Sequence, residues 1–273
     1  MHHVLVGIDG SEWSEIAARY AHDFASGTED DIQAVAVLPA KVIETLGEPP
    51  QELAYSSIVL DEAEDLGRRA VNDWFQATDE MCEEHDICFV RNIEVGDPIE
   101  ELTRMSLGAH LTVLGSRGAN ADDDDKKLGH IARSIMERTR KPIMVTGPQY
   151  RPIHSVVVGF DGSSEAAHAA EMAFSFAENA ELEIHMVTGA PMQSVLAEET
   201  AYLVELMQAE GINATRHIVP GDAPDVILDA MDRLDPDLIA IGGRRKSLGE
   251  RILYGRAAET ICEEASVPVL MYR

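Results

Sequence analysis

With 273 residues, a formal net charge of −27 and 49 acidic against 22 basic residues, the chain is sized for about two domains and wears an acidic coat over both halves. That balance argues against a nucleic-acid partner, because counterion release needs a basic face, and no apolar run approaches the ~20 residues that cross a membrane. The sequence runs straight into an apolar strand without a basic leader, and Cys82, Cys88 and Cys262 show neither metal spacing nor an even disulfide framework, so a cytoplasmic protein with ordinary thiols is expected.

Uniform acidity repels itself in dilute buffer and is tolerated once salt screens it, the screening length falling to about 3 Å at 1 M. A halophilic host with a salty cytoplasm is therefore expected. The thermal midpoint should rise between low and molar KCl, and a flat response would remove this reading.

In chain order, residues 4–8 form a buried strand that ends on Asp9-Gly10-Ser11. A helix follows, with Ser11 or Ser14 as cap and Ile16, Tyr20 and Phe24 on one face. Residues 32–38 form a second strand, closed by Pro39. The long middle segment predicts a helix whose apolar stripe is Leu60, Ala63, Ala70, Trp74, Ala77 and Met81. Residues 88–93 form a third strand. Gly96-Asp97-Pro98 then turns into a helix with Ile99 and Leu102 inward, a turn and not a site. A fourth strand at 111–114, a helix at 131–138 and a fifth strand at 143–146 complete the unit.

The same order then repeats. Val4-Leu5-Val6-Gly7-Ile8-Asp9-Gly10-Ser11 returns as Val156-Val157-Val158-Gly159-Phe160-Asp161-Gly162-Ser163. Gly96-Asp97-Pro98 returns as Gly221-Asp222-Ala223-Pro224, and Lys141-Pro142-Ile143-Met144-Val145 as Val267-Pro268-Val269-Leu270-Met271. Strands are expected near 156–160, 182–187, 214–219, 238–241 and 267–272. Landmarks in fixed order around a variable middle mean duplicated domains. The expected limits are 1–148 and 153–273, joined at Gly147-Pro148-Gln149-Tyr150-Arg151-Pro152. Short apolar runs alternating with helices make each unit an α/β, doubly wound parallel sheet. The last strands, around 143–145 and 269–271, can cover each other's edges in a pseudo-twofold pair.

Ligands of open parallel sheets bind beyond the carboxyl ends of the strands. Asp9 and Asp161 stand there, as acceptors for a ligand or as caps of the following helices. So do Gly115-Ser116-Arg117-Gly118 and Gly242-Gly243-Arg244-Arg245, each followed by a glycine at a helix start, Gly129 and Gly255. Glycines let the backbone approach an anion, and a helix N-terminus offers N–H donors.

Together these residues resemble the universal stress protein family, as a tandem of two units covering essentially the whole chain. The marks are a first strand ending in Asp, a Gly-Asp-Pro turn, a late Gly-x-x-Gly followed after nine residues by Gly-Ser/Thr, and a closing Pro-Val strand. The resemblance implies two flavodoxin-like, five-stranded domains arranged as a pseudo-dimer. It also implies a stress-response role with an adenine nucleotide as partner: ATP, alone or with Mg2+. In the first half it carries nucleotide-binding roles to Asp9, Val37, Leu114, Gly115, Arg117, Gly118, Gly129 and His130. In the second half it carries them to Asp161, Val187, Ile241, Gly242, Arg244, Arg245, Gly255 and Arg256.

This chain departs from the pattern in each half. Ten residues separate Gly118 from Gly129, His130 replaces a hydroxyl residue, and the inserted loop carries Asp122-Asp123-Asp124-Asp125. Those carboxylates are either a solvated loop tip or need a bridging cation beside a triphosphate. The second half keeps the nine-residue spacing but replaces a glycine by Arg245 and the hydroxyl residue by Arg256. Arg244, Arg245, Lys246, Arg251 and Arg256 form either a cationic phosphate clamp or a filled pocket. The expected function is an ATP-binding stress regulator without a dedicated catalytic site. The alternatives are an interaction protein with degenerate sites and a slow nucleotide hydrolase. A homodimer of the pseudo-dimer stays open.

Overall fold

The computed structural model describes residues 3–38, 69, 71–119, 128–180, 182–243 and 256–273. The first half runs β1 (His3–Gly7), α1 (Glu12–Thr28), β2 (Asp31–Leu38), a 3-10 turn at Asp73–Phe75, α2 (Gln76–Glu84), β3 (Phe89–Val95), α3 (Pro98–Ser106), β4 (Leu111–Leu114), α4 (His130–Arg138) and β5 (Ile143–Val145). The second half runs β6 (Ser155–Gly159), α5 (Ser164–Ala180), β7 (Glu183–Gly189), α6 (Val195–Ala209), β8 (Asn213–Val219), α7 (Ala223–Leu234), β9 (Leu238–Gly242), α8 (Arg256–Glu264) and β10 (Val269–Tyr272).

Val4, Leu5 and Val6 are wholly buried because β1 lies mid-sheet with helices on both faces. Val4 and Val6 face the layer of α1, α2, α5 and α6, while Leu5 faces the layer of α3, α4, α7 and α8. The two five-stranded sheets merge into one of ten strands, ordered β3-β2-β1-β4-β5-β10-β9-β6-β7-β8. All neighbours are parallel except β5 and β10, which meet antiparallel with Val145 opposite Val269, Met144 opposite Leu270 and Ile143 opposite Met271. The expected pairing of last strands is what joins the halves.

Side chains reinforce that seam. Arg133 of α4 forms ion pairs with Glu259 and Glu263 of α8. Phe24 and Phe176 stack at 5.5 Å where α1 meets α5, and Gly27 gives the Phe176 ring room. The linker is also tied down: Tyr150 Oη donates to Asp23 at 2.9 Å, and the Arg151 amide donates to Tyr20 Oη at 3.0 Å. Burial first, and then Asp23, pushes the Tyr150 phenol up.

One expected face moves. The stripe containing Trp74, Ala77 and Met81 is not the packed one; Val71, Phe75, Thr78 and Cys82 are buried, while Trp74 and Ala77 are exposed. Two adjacent stripes satisfy the same helical period, and the bulk of Phe75 with Val71 and Cys82 takes the core side. Leu60, Ala63 and Ala70 lie outside the described residues. Ile99 is half-buried and Leu102 buried, and Asp97 caps α3 by accepting from the Ile99 and Glu100 amides.

Under α7 sits a histidine pair. His185 Nδ1 lies 2.8 Å from Thr215 Oγ1 and 3.3 Å from His217 Nε2. Burial, with His185 and Arg233 nearby, lowers the His217 pKa from 6.5, against an opposing pull from Glu183. The unfolded chain therefore binds more protons near that pH, so stability is complete above about 6.5 and falls as the pH drops below it. Urea midpoints should decline less between pH 7.5 and 5.5 in His217→Gln than in the wild type. Equal declines would show that this pair does not set the acid limit.

Candidate functional site

The two first loops are near copies. Gly10 and Gly162 hold φ of 76° and 77°, a left-handed turn that only glycine adopts without strain. Asp9 Oδ1 accepts from the Ser11 amide at 3.1 Å, and Asp161 Oδ1 from the Ser163 amide at 3.0 Å. Ser11 Oγ then accepts from the Ser14 amide and Ser163 Oγ from the Ala166 amide, capping α1 and α5. The helix cap is thus the serine, and the aspartate braces it.

In the first half, β1 pairs with β4, which brings the Asp9 loop beside the Gly115 segment. Asp9 Oδ2 accepts from the Ala119 amide at 2.9 Å, and a Cβ on Gly118 would lie 3.0 Å from that same oxygen. Gly115 presses on the Trp13 backbone, and Gly129 on Ser116 and Arg117, with room for no larger side chain without a shift. The Gly129 amide donates to Ser116 O at 2.8 Å. Gly129 is also the N-cap of α4, where no side chain caps the helix and no acidic residue stands in the first turn. Asp9, Gly115, Arg117, Gly118 and Gly129 therefore converge. His130 opens α4 exposed, while Val37 and Leu114 stand near the carboxyl ends of the two strands flanking β1.

In the second half, Gly242 is pressed on the start of α5, where a Cβ would collide with the Ala166 amide. Ile241 and Val187 flank β6 and are buried. Val37 and Val187 are not counterparts. Gly159 pairs with Val187 as Gly7 pairs with Val35, so Val187 corresponds to Val35 and sits two residues deeper in its strand than Val37 does. Residue spacing could not show this, because β2 offers both Val35 and Val37 against the single Val187 of β7. Arg244, Arg245 and Gly255 lie outside the described residues, as does the side chain of Arg256.

Two residues near this site had no motif to mark them. Trp74 lies over Gly10, 2.5 Å from where a Cβ would stand, and the Arg117 guanidinium rests 5.0 Å over the Trp13 ring. They are the chain's two tryptophans, and both border the first-half loops. Their scarcity was the available signal. The open depressions lined by Asp30, His85 and Cys88, and by Val204, Gln208 and Thr215, lie away from these loops.

Residues 1–147 and 152–273 both match the universal stress protein family. The chain belongs to the universal stress protein family. It is 24% identical to the universal stress protein Rv2005c of Mycobacterium tuberculosis, over 100% of this chain and 97% of that relative. It is 25% identical to the universal stress protein Slr1230 of Synechocystis, over 59% of this chain and 57% of that relative. The crystal structure of a universal stress protein from Archaeoglobus fulgidus matches with a TM-score of 0.77 at 21% identity, covering 99% of this chain and 98% of that one. That likeness shows the shared fold. As a universal stress protein, this chain carries two family units in tandem. Among the described residues no helix is long and apolar enough to cross a membrane.

Proposed function

We propose that this universal stress protein binds an adenine nucleotide, ATP with or without Mg2+, and acts as a regulator without a dedicated catalytic group. The observation that carries the reading is the convergence of the Asp9 carboxylate, the Gly115 to Gly118 backbone and the N-terminus of α4. Glycines that admit no Cβ and a helix start lacking side-chain cap and acid suit phosphate, and a carboxylate suits an amino or hydroxyl group. Asp9 Oδ2 already accepts from Ala119, so a ligand must share that oxygen or displace the amide. Binding would thereby move the loop after β4, which is how the signal would leave the site. We place the two units at 1–148 and 153–273, in a cytoplasmic protein.

Mass spectrometry of ligand retained through purification tests the reading, together with tryptophan fluorescence under MgATP titration. Trp13 and Trp74 border the first-half loops, so occupancy there should change their emission, and Asp9→Ala should abolish that change. No retained nucleotide and no saturable ATP binding by calorimetry would instead support an interaction protein with degenerate sites.

A further inference from the structure

Helix α6 carries large apolar residues on its outer as well as its inner side. Its inner face, with Ala197, Thr200, Val204 and Met207, packs on the sheet. Its outer face and the turn before it expose Met192 at 69%, Val195 at 71%, Tyr202 at 65% and Leu206 at 49%. The spacing of Val195, Tyr202 and Leu206 lines them along one side of the helix. The fold does not require this. Helix α2, which holds the corresponding place in the first half, exposes Gln76, Ala77, Glu80, Glu83 and Glu84. Three large apolar groups on one stripe, with Met192 exposed in the turn before it, mark a contact surface on so acidic a chain.

Charge selects its occupant. Helix α6 contains Glu198, Glu199 and Glu205 and no basic residue. All three glutamates are exposed around the stripe. Glu205 lines the groove between α6 and β8, where Arg216 of β8 is the one basic residue among its lining, and Glu199 reaches the Gly162 loop. A second copy laid on this face would oppose glutamate to glutamate, and anionic lipid would be repelled. Four side chains also expose far less than the roughly 800 Å² per partner of a stable protein interface. A single amphipathic helix with a basic rim matches both the size and the sign.

We propose that the α6 stripe docks a basic amphipathic helix of a partner protein, with Tyr202 and Leu206 as apolar anchors and Glu198 and Glu205 meeting its Lys or Arg rim. The upper end of the stripe adjoins the Asp161-Gly162-Ser163 loop, since a Cβ on Gly162 would lie 3.1 Å from Leu196 Cδ1. Partner binding and the second strand-end loop therefore share one helix end.

The test uses the full chain and a fluorescent Leu/Lys model peptide that folds as an amphipathic helix, with a scrambled peptide of equal composition as control. The ordered peptide should bind at least tenfold tighter than the scrambled one, and hydrogen exchange should slow at 195–206. Tyr202→Ser/Leu206→Gln should remove that preference at low and molar KCl. Glu198→Gln/Glu205→Gln should keep the preference and lose most of its salt dependence. Circular dichroism melts confirm that these surface variants fold. Undiminished preference in Tyr202→Ser/Leu206→Gln, or protection elsewhere, overturns the proposal. So does a chain dimer in sedimentation that this variant abolishes, which would make the occupant a second copy. So does flotation with phosphatidylglycerol vesicles that the variant abolishes, which would make it lipid.

Discussion

Leu270→Ala should lower unfolding stability by about 2–5 kcal/mol, the range for emptying a fully buried leucine site, and should do so for both halves at once. Leu270 and Met144 face each other at the centre of the β5–β10 junction, and each is at most 1% exposed. In the repeat they are also counterparts, so the pseudo-twofold axis passes between them. Trimming the isobutyl side chain to a methyl leaves a cavity beneath α1 and α5, where the core of one half continues into the other. The two helices are locked by the Phe24–Phe176 stack, and the opposite face is held by Arg133 with Glu259 and Glu263, so collapse to fill the void is restricted. Urea unfolding followed by circular dichroism and by tryptophan fluorescence checks this. Both tryptophans are in the first half and Leu270 is in the second, so a loss seen by fluorescence reports transmission across the seam. A fluorescence midpoint unchanged by the substitution would show that the halves are energetically separate.

Arg244→Ala/Arg256→Ala should weaken ATP binding by about a hundredfold or more, whereas Asp9→Ala should cost little of the tighter site. The two halves differ in electrostatic sign after their fourth strands. In the first half the sequence has Asp122 to Asp125 offset by Lys126 and Lys127, while the second half has Arg244, Arg245, Lys246, Arg251 and Arg256 against Glu250. A hydrogen bond to a charged group contributes about 1.5–3 kcal/mol, so losing two guanidinium contacts reaches that fold-change. Close contacts keep their sign under salt because they fall within the screening length. Calorimetric titration of the three proteins decides between the sites. Loss of tight binding only in Asp9→Ala would place the nucleotide in the first half.

The strand ends were legible because they depend on local chemistry, whereas the caps stayed open between Ser11, Ser14 and the two aspartates until the structure chose the serines. Asp9-Gly10-Ser11 and Asp161-Gly162-Ser163 read as strand ends, and each forms the same left-handed glycine turn and serine cap. The edge pairing was legible too, since two copies of one closing strand can cover each other. The α2 face was not. Period alone cannot choose between neighbouring stripes when Trp74 and Phe75 stand side by side, and the choice fell to which ring met the core. The relation of Val37 to Val187 was equally hidden, because strand register is set by pairing with β1 and β6 rather than by order along the chain.

By itself, then, the sequence determined the duplication, the doubly wound α/β units and the glycines and aspartates at the strand ends, since each follows from apolar period or backbone freedom within a few residues. Tertiary structure alone decided that Asp9 Oδ2 is engaged by Ala119, that both tryptophans border the first-half loops, and that Arg133 reaches across to Glu259 and Glu263. Those contacts join residues far apart in the chain, and their partners are chosen by the packing of whole helices on a common sheet.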